Sequence, residues 1–120
     1  MVLFTAKHYS GAYYLAGYAT ELALKVSIAR NFVADAIPEK DFVNKVYTHD
    51  LTKLLSLSGL EHDFDLATKA DLALEANWGV VSNWSEASRY ETWDSLNAAA
   101  IIGGTADAAH GVFPWIKARW

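Results

Sequence analysis

Residues 9–30 read Tyr9-Ser-Gly-Ala-Tyr-Tyr-Leu-Ala-Gly-Tyr-Ala-Thr-Glu21-Leu-Ala-Leu-Lys25-Val-Ser-Ile-Ala-Arg30, and this stretch decides the fold. It contains no proline, and alanine and leucine, both strong helix formers, recur through it. Leu15, Ala19, Leu22, Val26 and Ala29 follow the i, i+4, i+3 rhythm of one helix face, while Tyr13, Gly17, Leu24 and Ile28 line a neighbouring face. A helix that is apolar around most of its circumference belongs inside a bundle, so both faces are expected in the core. The expected helix runs from about Leu3 to Phe32.

Outward from this helix the same character continues. Sustained period-2 alternation is absent, and so is any Asn-Gly or Asp-Gly turn between apolar runs, which leaves strands unsupported. The only prolines, Pro38 and Pro114, stand where helices should end or restart. The segment around Asp35 to Asp41 is expected to break the first helix, with Pro38 disfavouring helical geometry at Ile37. A short helix is expected over Phe42–Val46. Another carries Leu51, Leu54, Leu55 and Leu57, with Thr48 as N-cap candidate, Asp50 in the first turn and Gly59 as its stop. A longer helix is expected from about Asp63 to Asn83, with Leu66 on its apolar face. A polar connection spans Trp84 to Glu91. Thr92 then caps a final helix rich in alanine and glycine, which continues through Ala108 and Val112, and Pro114 either kinks it or starts a last turn ending in Trp115 to Trp120. Its small residues suit a tight packing face, or a shallow groove for a ligand or second subunit.

Composition narrows the function classes. The 120 residues form one expected domain, 1–120, and a 52% hydrophobic, 20% charged chain is not intrinsically disordered. Without cysteine there is no disulfide scaffold, thiolate zinc site or cysteine nucleophile. A net charge of −4 argues against bulk DNA or RNA coating but permits a local basic site. The least polar run, Tyr9 to Thr20, is shorter than the roughly 20 apolar residues a membrane span needs. It leads into Glu21 and Lys25 with no cleavage-type segment, so no membrane association and a cytoplasmic location are expected.

No phosphate loop and no His-Glu-x-x-His pair occur, and no metal or cofactor is expected. His62-Asp63-Phe64-Asp65 reads as a charged helix start. Between Tyr9 and Ala29 the only charged side chains are Glu21 and Lys25, spaced i, i+4 and continuing a line through Tyr14 and Tyr18. They form either an ion pair at the bundle edge or the wall of a ligand cleft. His49, next to a helix start, is a loop anchor or a hydrogen-bonding or basic imidazole. Arg89 beside Tyr90 pairs a planar cation with an aromatic ring, which suits phosphate contact and base stacking, or else an inter-helix ion pair. The candidate ligand-binding set is therefore Tyr18, Glu21, Lys25, His49, Asp50, Arg89 and Tyr90. Arg89 and Lys25 would meet phosphate, and Tyr90 or Tyr18 would stack on a base.

Four blocks carry a family resemblance: Ala12-Tyr-Tyr-Leu-Ala-Gly-Tyr-Ala-Thr-Glu21-Leu-Ala-Leu-Lys25, Thr48-His-Asp-Leu-Thr-Lys-Leu-Leu55, Asn77-Trp through Trp84-Ser-Glu-Ala-Ser-Arg89-Tyr90, and Gly111-Val-Phe-Pro-Trp-Ile-Lys117. In order and span the chain resembles a HEPN (higher eukaryotes and prokaryotes nucleotide-binding) domain. The resemblance implies an up-and-down bundle of four to five helices with a short extra helix, commonly a homodimer. It also implies a partner nucleotidyltransferase in a toxin–antitoxin-like module, or a metal-independent ribonuclease. Nuclease members carry Arg, four to six residues, then His on the last helix. Here His110 would need arginine at a position held by Gly103, Gly104 or Thr105, and Arg30 is followed next by His49. The nuclease motif is absent, so a non-catalytic domain binding a nucleotide, RNA or partner is expected. A ribonuclease with a rearranged His49/Arg89 site and a purely structural dimerisation module are the alternatives.

Overall fold

A computed structural model describes residues 2–32 and 37–120, with Arg89 described in its backbone alone. Residues 35–36 of the break expected over Asp35 to Asp41 and the Arg89 side chain thus lie outside the described residues. The chain is an all-α bundle with no strand among the described residues. Its helices are α1 (Val2–Thr5), α2 (Tyr9–Arg30), α3 (Lys40–Val46), α4 (Leu51–Leu57), α5 (Glu61–Ala70), α6 (Leu72–Val81), α7 (Ser95–Ala106) and α8 (Val112–Lys117), with a 3₁₀ turn at Glu86–Tyr90. Helix α2 is the axis: α7, α4 and α8 pack along it, and α6 covers α7. No helix among the described residues is long and apolar enough to cross a membrane.

Three of the expected helices are subdivided, each by a local hydrogen-bond motif that periodicity does not register. The first divides at Lys7. His8 N–H donates to Leu3 O at 2.7 Å and Lys7 N–H to Phe4 O at 2.9 Å, the paired bonds of a Schellman motif. Lys7 takes the left-handed φ of 64° this motif needs, at a cost of about 1 kcal/mol for a residue with a Cβ. The long helix expected over 63–83 divides at Asp71, whose extended backbone (φ −134°, ψ 98°) lets its side chain accept from Ala73 and Leu74 N–H and start α6 anew. The last one ends at Ala106. Beyond it Asp107 Oδ1 accepts from Ala109 N–H at 2.9 Å and His110 N–H at 2.8 Å, turning the chain. Pro114 falls in the first turn of α8, where no helical partner for an N–H exists, and causes no kink. The cap of α7 is Asp94, accepting from Asn97 N–H at 2.8 Å, and not Thr92. Asp50 itself caps α4, with Thr48 Oγ1 accepting from Asp50 N–H. Gly59 ends that segment at φ 79°, as its position after Leu57 and Ser58 predicts.

The larger correction concerns the faces of α2. Tyr13, Gly17, Leu24 and Ile28 are buried, together with Ala12, Thr20 and Glu21. Leu15, Leu22 and Val26 are instead 44%, 46% and 40% exposed, so one of the two faces expected in the core is open. Periodicity could not choose between two apolar faces. The bundle's shortest extent is 20 Å, about two helix diameters, so a helix lying between neighbours on one side keeps the other uncovered. Leu66, also expected in the core, is 53% exposed for a similar reason: Phe64 supplies the buried face of α5.

Candidate functional site

Glu21 and His49 are brought together from elements 28 positions apart. Glu21 sits on the buried side of α2 and is only 1% exposed. Its Oε1 lies 2.6 Å from His49 Nδ1, and since a carboxylate only accepts, this ring nitrogen is the donor. Its Oε2 lies 3.8 Å from Lys25 Nζ, one turn on along α2. A buried charge is tolerable only when paired and hydrogen-bonded, and both carboxylate oxygens have such a neighbour. His49 is carried by the residue before the Asp50 cap, which aims the ring from the start of α4 back at α2. Its Nε2 faces Glu86 Oε2 of the 3₁₀ turn at 3.3 Å. Two carboxylates flank the imidazole, a stronger local field than the end of a seven-residue helix, so the helix terminus does not govern its surroundings.

The histidine opens onto a cleft of about 520 Å³, walled by His49, Asp50 and Thr52 on one side and by Ser82–Ala87 on the other. Trp84 is its back wall. That indole is 2% exposed, donates from Nε1 to Tyr14 O at 3.1 Å and lies against Gly17 of α2. Ser85 and Ser88 form a reciprocal capping box that fixes the 3₁₀ turn and with it Glu86.

Of the residues expected in one cleft, His49 and Asp50 line it, while Glu21 backs His49 from the buried side and Lys25 pairs with Glu21. Asp50 is occupied in part, since Oδ1 accepts from Thr52 and Lys53 N–H. Tyr18 stands beside them rather than in the opening, its ring stacked on Tyr14 at 6.0 Å, with Tyr14 in turn 5.7 Å from Trp84. Tyr90 is 76% exposed and does not line the cleft. Sequence reasoning missed Glu86, the second carboxylate on His49, although Trp84-Ser-Glu lies inside a block already singled out. Ser85 and Ser88, at N-cap and N3 spacing, were the signal that a turn fixes Glu86 there.

A second polar cluster joins α6 to the turn after α7. His110 Nδ1 lies 2.7 Å from Asp71 Oδ2, and Asn77 Nδ2 donates to His110 O at 2.8 Å. The Asp71 contact raises the His110 pKa above its ordinary value, through the hydrogen bond first and then the charge. The same hydrogen bond, aided by the backbone N–H groups at the cap, lowers that of Asp71. Backbone N–H donation by His110 and Ala109 lowers that of Asp107. His110 and Asp107 are exposed and Asp71 is half-buried, and their geometry is that of a latch. Among the described residues no group of three or more His, Asp or Glu side chains is placed to hold a metal ion.

Comparison with known protein families, with curated proteins and with solved structures finds no match to this chain.

Proposed function

We propose that the chain is a non-catalytic, HEPN-like helical domain that holds the nucleoside part of a nucleotide or RNA segment beside His49. The observation that supports this most is the 2.6 Å contact between His49 and the buried Glu21. A side chain held rigidly from behind presents its remaining edge in one orientation, as a recognition site requires. Around it the cleft offers hydroxyl and amide groups from Thr52, Ser82, Asn83 and Ser85, and carboxylates from Asp50 and Glu86. Those acceptors suit ribose hydroxyls and base amino groups. They repel phosphate, which must lie outside the cleft.

Calorimetric titration with the four ribonucleosides tests this. At least one is expected to bind, and His49→Ala should weaken it about tenfold, the effect of one lost charge-assisted hydrogen bond. No binding by any nucleoside at millimolar concentration would overturn it. The rearranged ribonuclease is favoured by one feature: Glu21 engages Nδ1 and so orients the ring, with Nε2 on the cleft side facing Glu86 Oε2 at 3.3 Å. Equal background cleavage of RNA by wild type and His49→Ala would end that alternative.

A protein partner belongs to the same proposal, either a second copy or a nucleotidyltransferase in the cytoplasm. The open apolar side chains of α2 support it, because exposed apolar rows mark contact surfaces. Sedimentation of the isolated chain distinguishes self-association from the need for a second protein.

A further inference from the structure

A second cleft adjoins the first. It has a volume of about 620 Å³ and lies between α3 and α4, lined by Asn44, Lys45, Tyr47, Thr48, Lys53, Ser56 and Leu57. Consecutive residues divide between the two openings: Tyr47 and Thr48 line this one, His49 and Asp50 the other. The same alternation recurs one turn on, with Lys53 here and Thr52 there. The two clefts therefore share the ridge that carries His49.

Their electrostatics are opposite. Among the described residues the His49 cleft is lined by two carboxylates, whereas this one is lined by two lysines and no acidic side chain, in a chain whose net charge is −4. The lysines come from different helices, Lys45 from the last turn of α3 and Lys53 from the first of α4. Neither joins an ion pair among the described residues, while Lys25 and Lys69 both do. Lys45 and Lys53 both line this opening, so a dianion seated between them is attracted to both. Ser56 and Asn44 add neutral hydrogen-bonding groups for the remaining oxygens. Tyr47, 73% exposed at the rim, offers a ring face to a flat group attached to the anion.

We propose that the cleft between α3 and α4 is a binding site for a phosphate monoester joined to a flat ring. Lys45 and Lys53 hold the dianion and Tyr47 contacts the ring. This goes beyond the function proposed above, since the ring it holds lies at Tyr47 and not in the cleft beside His49. The chemistry of the site itself is independent of that reading.

The test is a titration of the full chain followed by ¹H–¹⁵N NMR, with inorganic phosphate and with phenyl phosphate, against sodium chloride at equal ionic strength. Saturable shifts of the amides of residues 44–57 are expected with both phosphates. Phenyl phosphate should bind more tightly, and Tyr47→Leu should remove the difference. Lys45→Gln and Lys53→Gln should each weaken binding about tenfold, whereas the pair Lys69→Gln/Lys117→Gln, equal in charge and outside the cleft, should leave it unchanged. Shifts that do not saturate, that survive both cleft substitutions, or that are lost equally in the control pair overturn the site. If a nucleoside binds beside His49 while neither phosphate binds here, the phosphate site alone fails. If phosphate binds here and no nucleoside does, this site stands and the nucleoside reading alone fails.

Discussion

Trp84 occupies the space a side chain at Gly17 would need: a Cβ built on residue 17 would lie 2.1 Å from the indole Cγ. This close approach lets the indole lie flat against α2, reach Tyr14 O with its Nε1, and serve as the back wall of the His49 cleft. Glycine is required here for proximity and not for backbone freedom, since the residue is inside a regular helix.

Gly17→Ala should therefore destabilise the protein although it improves helix propensity by about 1 kcal/mol. The indole cannot retreat without losing its hydrogen bond, and overpacking of this kind costs about 1–3 kcal/mol beyond that gain. Urea unfolding with tryptophan fluorescence measures both the loss and the altered indole environment. Combining Gly17→Ala with Trp84→Leu should be markedly less destabilising than the sum of the two single changes. Strict additivity would show that the two residues do not compete for one space.

Glu21→Ala removes the carboxylate that faces both His49 and Lys25 and leaves polar groups without their buried partner. A loss of about 2–4 kcal/mol is expected. Glu21→Gln keeps an acceptor for His49 Nδ1 and should cost clearly less. Chemical denaturation of the two variants side by side separates the hydrogen bond from the charge, and equal losses would show that the hydrogen bond to His49 contributes little.

The helical class was legible because alanine and leucine dominate periodic runs and nothing offers strand chemistry. Gly59 was legible as punctuation because glycine tolerates positive φ, whereas the cap of α4 was expected at Thr48 and falls on Asp50. Breaks made by ordinary residues were not legible. Lys7 carries a glycine's conformation, and Asp71 caps a helix in the middle of an apolar rhythm. Glu21, Lys25 and His49 were legible as candidates because charge inside an apolar helix needs a partner. Glu86 was not, because its approach to His49 depends on how the 3₁₀ turn folds back, a long-range relation with no local periodicity. The basic cleft was equally hidden, its two lysines being separated by the turn between α3 and α4.

The one open face of α2 gives a direct contrast. Leu22, 46% exposed, should accept Leu22→Gln within about 0.5 kcal/mol in the isolated chain. Leu24, fully buried two residues on, should lose about 2–5 kcal/mol as Leu24→Ala. Urea midpoints decide the matter: comparable losses at both positions would mean that Leu22 is covered in solution, and concentration dependence of the Leu22→Gln midpoint would identify a second copy as the cover.

The His110–Asp71 latch should make stability depend on pH in a defined sense. His110 is held above its ordinary 6.5, so the folded chain binds this proton more tightly than the unfolded chain. Its contribution is complete below pH 6.5 and is lost as pH rises through the raised value. Asp71 and Asp107 are held below 3.8, so theirs is complete above that pH and is lost as pH falls through the lowered values. Both halves of the latch are present together only between these limits. His110→Gln removes the titrating partner while Asp71 still caps α6, so the variant should lag the wild type most at about pH 5 and approach it by about pH 9. Thermal midpoints across that range provide the measurement. A gap between wild type and variant that stays constant from pH 5 to pH 9 would show that the 2.7 Å contact does not couple protonation to folding.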